Sequence, residues 1–228
     1  MNKIIGRIRF RLLQRRLLNC PKEKLPLLLK KLFHARTGKM PTDDFTDFND
    51  KIVWAMMFDA TALKAKCADK YRAREYVAEK IGNEYLPELH GVWDSPDEID
   101  IAGLPEKFIF QFNTGTGKQK IVPDKSVLDM GALRDEMRKW FTRHYWTRTC
   151  ELQYRVPYKV IARELLDIRL DREFRLYCFD GKVEFIMHRS YEKGKKHIGL
   201  RYYSRDWSGP GFTMAGGGGG RILYPLSG

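Results

Sequence analysis

Residues 104–126 read LPEKFIFQFNTGTGKQKIVPDKS. Phe108 to Phe112 is a short aromatic run suited to a strand. Residues 113–117 (NTGTG) form a loop, and a second strand follows through Ile121 and Val122. Glycine permits positive φ and close approach, so this loop is able to present backbone amides and two hydroxyls to a phosphate. An ordinary hairpin turn accounts for the same residues. A Walker loop does not, because its spacing differs and a helix rather than a strand should follow it.

Working outward, Asp129 to Tyr145 has the spacing of an amphipathic helix carrying Leu133, Met137, Trp140 and Phe141. Tyr158 to Leu165 is expected as a strand. Glu173 to Phe179 and Lys182 to His188 are two more, joined by the hairpin signal Asp180-Gly181. Upstream, Leu89 to Trp93 is a strand candidate, and Ser95-Pro96-Asp97-Glu98 starts a helix. Ala68 to Ile81 predicts one long charged helix with Tyr71, Tyr76 and Val77 inward and Gly82 as its stop. Before it, TDDFTDFNDKIVWAMMFD (residues 42–59) supplies acidic and Asx capping residues ahead of Ile52, Val53, Met56 and Met57. A helical first third therefore precedes mixed α and antiparallel β structure.

Composition agrees with a folded chain. The 228 residues include 43% hydrophobic, 13% aromatic and 31% charged positions, enough apolar surface for a core and unlike a disordered segment. Cys20, Cys67, Cys150 and Cys178 are widely spaced and the five histidines are scattered, so neither a zinc nor a redox pattern is present. The cysteines are read as reduced thiols in the cytoplasm. No apolar run is long enough for a spanning helix, and Arg7, Arg9 and Arg11 interrupt any export signal.

The net charge of +13 is concentrated: residues 1–40 carry twelve Lys or Arg against one acid, Glu23. The remaining body is nearly balanced and offers no phosphate-tracking groove, so no nucleic-acid partner is expected. In the head, Ile4, Ile5, Ile8, Leu12 and Leu13 interleave with arginines, and Leu25 to Leu32 are packed between lysines. Two readings stay open. Either these basic amphipathic helices anchor the chain peripherally to an anionic inner leaflet, or they dock on the body with their cations solvated.

The segments DFTDFNDKIVWAMMFD, CADKYRAREYVAEKIG, LHGVWDSPDEID, LPEKFIFQFNTGTGKQKIVPDKS and EFRLYCFDGKVEFIMHRS, in this order from about Phe45 to Trp207, resemble the TupA-like ATP-grasp family of teichuronopeptide biosynthesis. The resemblance implies an α+β fold in which two subdomains with antiparallel sheets surround a nucleotide cleft. It divides the chain into a basic helical head (1–40), a C-terminally incomplete ATP-grasp-like domain (41–207) and a glycine-rich tail (208–228). It further implies an ATP-dependent carboxylate–amine ligase of bacterial cell-surface polysaccharide biosynthesis. In that reaction a carboxylate takes the γ-phosphoryl group, and an amine then displaces phosphate from the acyl phosphate. ATP and Mg²⁺ would be the cofactors, with an acidic sugar or glycan precursor and an amine donor as partners.

By the same resemblance, Asp69-Lys70 with Arg74 occupies the family's DKY-x-x-R motif, and Lys70 is a candidate phosphate contact. Asn113, Thr114, Gly115, Thr116, Gly117 and Lys118 fall on its flexible loop, with Thr114 where a histidine is common. Glu164 takes the place of a carboxylate near the ribose or base, and Arg175, after Glu173, that of a cleft-facing lysine with a catalytic role. Two departures point to an impaired or remnant enzyme as the alternative. Gln111 stands where the family has a phosphate-binding lysine, for which Lys118 or Lys120 would have to compensate. After Glu192 only Asp206 is acidic, so the metal ligands are unassigned and the domain is expected to be incomplete at its C-terminus.

Overall fold

Period-two alternation sends Phe108, Phe110 and Phe112 to one side of a strand, and all three are wholly buried. The computed structural model describes residues 3–41, 48–142, 144–166, 173–191 and 198–209. The capping residues expected at 42–47 and the glycine run at 216–220 lie outside them. Two compact units divide the chain, residues 1–165 and 166–228.

The first unit is built on a four-stranded antiparallel sheet of order β1-β4-β2-β3: β1 (Leu89–Trp93), β2 (Phe108–Phe112), β3 (Gln119–Val122) and β4 (Val160–Glu164). Its core face receives the three phenylalanines, Val122, Val160 and Ala162. Against it lies α6 (Met130–Thr142), whose Leu133, Met137 and Trp140 recur at i, i+4 and i+7. Edge-on ring contacts tie the layers, with Phe112 at 6.2 Å from Trp140 and 5.0 Å from Phe141. The opposite sheet face carries Ile109 and Gln111 beside Ile161 and Arg163.

A second core joins the helices α1 (Lys3–Leu18), α2 (Leu25–Thr37), α3 (Phe48–Phe58) and α7 (Tyr145–Thr149). Leu13, Leu17, Leu29 and Leu32 of the head pack with Met57, Trp146 and Cys150. The stripe expected from Ile8 and Leu12 is thus rotated: those two are exposed, and the leucines one and five positions beyond Leu12 face inward. Among the described residues no helix is long and apolar enough to cross a membrane.

The helix expected over 68–81 is interrupted at its start: Ala68 closes a preceding helix, α4 (Ala62–Ala68), and the remainder forms α5 (Arg72–Ile81). Asp69 breaks it, because its buried carboxylate accepts from the amides of Tyr71 (2.9 Å) and Arg72 (3.3 Å) and so starts a new helix. Likewise, the helix expected over 129–145 ends at Thr142, and the Ser95-Pro96 start makes only a 3₁₀ turn, Pro96–Glu98.

The second unit holds an antiparallel three-stranded sheet, β5 (Glu173–Phe179), β6 (Lys182–Tyr191) and β7 (Ile198–Ser204). Asp180 (φ 48°) and Gly181 (φ 74°) turn the expected hairpin.

Because Phe110 fills the space between sheet and helix, Phe110→Ala is expected to lower stability by about 3–5 kcal/mol. Urea unfolding followed by far-ultraviolet circular dichroism checks this.

Candidate functional site in the glycine hairpin

The loop between β2 and β3 is held at its base by Asn113, a wholly buried residue. Its backbone N–H donates to Lys159 O (3.0 Å) and its side-chain amide donates to Pro157 O (2.8 Å). Its side-chain oxygen accepts from Lys159 N (2.9 Å), and its carbonyl accepts from Lys70 N (2.8 Å). One residue, through its backbone and its side chain, therefore joins the end of β2, the entry to β4 and the α4–α5 turn.

Lys70 also reaches the loop with its side chain. Nζ donates to Gly115 O at 2.7 Å, and burial lowers the Lys70 pKa against the opposing pull of Asp69. The motif lysine is thus half-buried in the turn after Asp69, not a solvated position on a helix.

Gly115 and Gly117 have φ of 75° and 71°, values that L side chains rarely adopt. At Gly115 the space is also closed, since a Cβ would meet the Tyr145 ring at 2.9 Å. Among the described residues no protein group accepts from the amides of residues 114–117, and Thr114 Oγ1 is buried without a partner. A buried hydroxyl left so costs about 1–3 kcal/mol, which a ligand oxygen at the loop would relieve. Lys118, by contrast, turns back: Nζ donates to Trp140 O at 2.6 Å and lies 4.3 Å from the centre of the Phe112 ring.

On the sheet face away from the core, Arg163 Nε donates to Gln111 Oε1 at 3.3 Å. Burial is the main influence lowering the Arg163 pKa; the neighbouring Arg74 adds to it and Glu164 opposes it. Sequence reading missed Arg163. The signal was the alternation of VIARE, which buries Val160 and Ala162 and turns Arg163 to the side of Gln111. Arg74 donates to Pro87 O at 2.7 Å.

Glu164 is not beside the loop. It pairs with Phe108, four residues along β4 from Val160, about 13 Å at ~3.3 Å per residue. There its backbone N–H donates to Glu88 O (2.9 Å), and its carboxylate accepts from Glu88 N (3.2 Å). In the second unit, Arg175 Nε donates to Glu173 at 3.0 Å, and Arg189 reaches the same oxygen at 3.1 Å. Lys70, Asn113 and the loop are brought together, Gln111 lies on β2 two positions before Asn113, and Glu164 sits at the far end of the same sheet.

The TupA-like ATPgrasp family model matches residues 50–207. The chain belongs to the TupA-like ATP-grasp family. No curated protein and no solved structure matches it. The mixed α and antiparallel β architecture is that of an ATP-grasp protein, a family that generally binds ATP and Mg²⁺. The unbonded amides and the orphaned Thr114 hydroxyl fit a phosphate chain. No three His, Cys, Asp or Glu side chains come together among the described residues, so none is assigned to Mg²⁺.

Asn113→Ala is expected to destabilise the chain by about 1–3 kcal/mol, because Lys159 N and Pro157 O lose their partner. Gly115→Ala adds strain at positive φ and a clash with Tyr145, and should lower the melting temperature measured by scanning calorimetry.

Proposed function

We propose that the chain is an ATP-dependent carboxylate–amine ligase in cell-surface polysaccharide biosynthesis, with the triphosphate held by the amides of residues 114–117. The observation that carries this reading is the loop itself: four amides and a buried hydroxyl without protein partners among the described residues, on a hairpin tied down by Asn113 and Lys70. Bound ATP would supply the phosphoryl group that activates a substrate carboxylate for attack by an amine.

Each residue has a part in this. Backbone amides aligned on the phosphate oxygens stabilise charge without reorganising, which is where phosphoryl transfer gains most. Lys70, bonded to Gly115 O, positions the loop. Arg163 takes over from the lysine missing at Gln111: its guanidinium is bonded to that glutamine and brings a positive charge to the same sheet face. Glu164, at the other end of β4, is assigned to the ribose or base, since the strand length between it and the loop suits an extended nucleotide. Arg175, in the second unit, carries the cationic role given by its motif position. The acceptor is an acidic sugar or glycan precursor. Four free cysteines fit a reducing, cytoplasmic setting.

A second reading, a nucleotide- or glycan-binding protein without turnover, is favoured by the neutral Gln111 and by the commitment of Lys118 to Trp140 O. Incubating the full chain with ATP, Mg²⁺, uronic acid sugars and amines separates the two. Release of ADP that depends on both sugar and amine supports the ligase; nucleotide binding without release supports the binding protein. Absence of ATP binding contradicts the ligase and leaves only the glycan-binding form of the second reading. Arg163→Ala is expected to weaken ATP binding by roughly tenfold or more, as for loss of a charged hydrogen bond of about 1.5–3 kcal/mol, in calorimetric titration.

A further inference from the structure

A cleft of about 650 Å³ opens on the outer side of the glycine loop, within the first unit. One wall is α1, through Arg11 and Arg15; another is α7, through Arg148; the loop closes it with Thr116 and Lys118. Among the described residues no Asp or Glu lines it. Threonine hydroxyls and the Gln14 amide supply neutral polar groups, and Tyr145 supplies a ring with the Arg148 guanidinium 5.7 Å from its centre. None of Lys70, Gln111, Arg163 or Glu164 lines this space. It meets the nucleotide-binding residues proposed above only at the loop.

The three arginines around this space repel one another, and a ligand with several negative charges relieves that repulsion. The volume lies within the range of small-molecule sites, and the hydroxyl-rich lining suits a hydroxylated ligand more than an apolar one. His144, also in the lining, has its pKa lowered by burial and by the nearby Lys118, so near neutral pH its ring contributes hydrogen bonding more than charge. Arg11 and Arg15 belong to a helix outside the family match, which begins at residue 50. That helix is held in place by Leu13 and Leu17 in the second core.

We infer that this cleft is a binding site for a small hydroxylated polyanion, an acidic oligosaccharide or a sugar phosphate, recognised by Arg11, Arg15 and Arg148. Its role as the acceptor site rests on the ligase reading: a carboxylate held here against Thr116 would stand next to the loop that grips the triphosphate. Binding itself does not depend on that reading. The basic head is then part of a ligand pocket, and this use accounts for Arg11 and Arg15 on α1, which pair with no carboxylate among the described residues.

The test is calorimetric titration of the full chain, without nucleotide, with a uronic acid trisaccharide, a hexose bisphosphate and a neutral trisaccharide. At least one of the two anionic probes should bind and the neutral one should not. The better anionic probe identifies the source of the charge. Arg11→Gln/Arg15→Gln should weaken that binding at least tenfold, and Arg148→Gln similarly, while ATP affinity changes less than twofold and circular dichroism stays that of the parent. Binding of neither anionic probe, or equal binding by parent and variants, overturns the proposal. Parallel loss of ATP affinity also overturns it, since the cleft would then be the seat of the triphosphate. Loss of binding to anionic lipid vesicles with sugar binding unchanged overturns it in favour of a membrane role for the head. Failure of the parent to bind ATP sinks the ligase reading and leaves polyanion binding standing.

Discussion

Four hydrogen bonds from one buried asparagine hold the candidate site together. Asn113 ties β2 to the residues entering β4 and, through its carbonyl, to the turn between α4 and α5. An aliphatic side chain of similar size would leave Lys159 N and Pro157 O, on the approach to β4, without these partners. Because the glycines after it give the backbone freedom, the loop takes one conformation only if its root is fixed. Asn113 fixes one end, and the Lys70 bond to Gly115 fixes the bend. The same two contacts place the motif around Asp69 beside the hairpin, although more than forty residues separate them in sequence.

Short-range patterns carried most of the architecture. Alternating phenylalanines, the glycine loop and Asp180-Gly181 are local signals, and their strands and turns form where the patterns put them. What escaped was decided by tertiary contacts or by competing local chemistry. The helix over 68–81 kept its period through Asp69, yet that side chain satisfies the amides of a new helix and breaks the old one. Leucines and isoleucines surround much of α1, so periodicity alone does not select the side carrying Leu13 and Leu17; the partners Met57 and Trp146 do. At the site, the motif residues were visible in the chain, but the use of Lys118 was not. Its neighbour across space, the Trp140 carbonyl, comes from a different element. Arg163 was legible in principle from period two, because alternation along VIARE sets it on the face of Gln111, but its bond to that glutamine depends on the pairing of β4 with β2.

The charge distribution has a physical explanation in the fold. A body near neutrality with a strongly basic head suggests an adhesive tail when only the sequence is considered. Once the head's leucines are buried in the second core, its arginines are positioned on a fixed helix, and two of them border the cleft beside the loop. Fixed cations in a concave setting act on a ligand far more selectively than the same charges on a free segment. The ATP-grasp scaffold and the helices preceding the family match thus contribute to adjacent surfaces.

The proposed chemistry turns on residues 114–117 gripping a triphosphate through their backbone amides. Amide NMR of the full chain, titrated with a non-hydrolysable ATP analogue and Mg²⁺, tests it most directly. The account predicts saturating shifts at Thr114, Gly115, Thr116 and Gly117 that vanish in Gly115→Ala while Lys182 to His188 remain unchanged. Saturable nucleotide binding that leaves those four amides unmoved would contradict it.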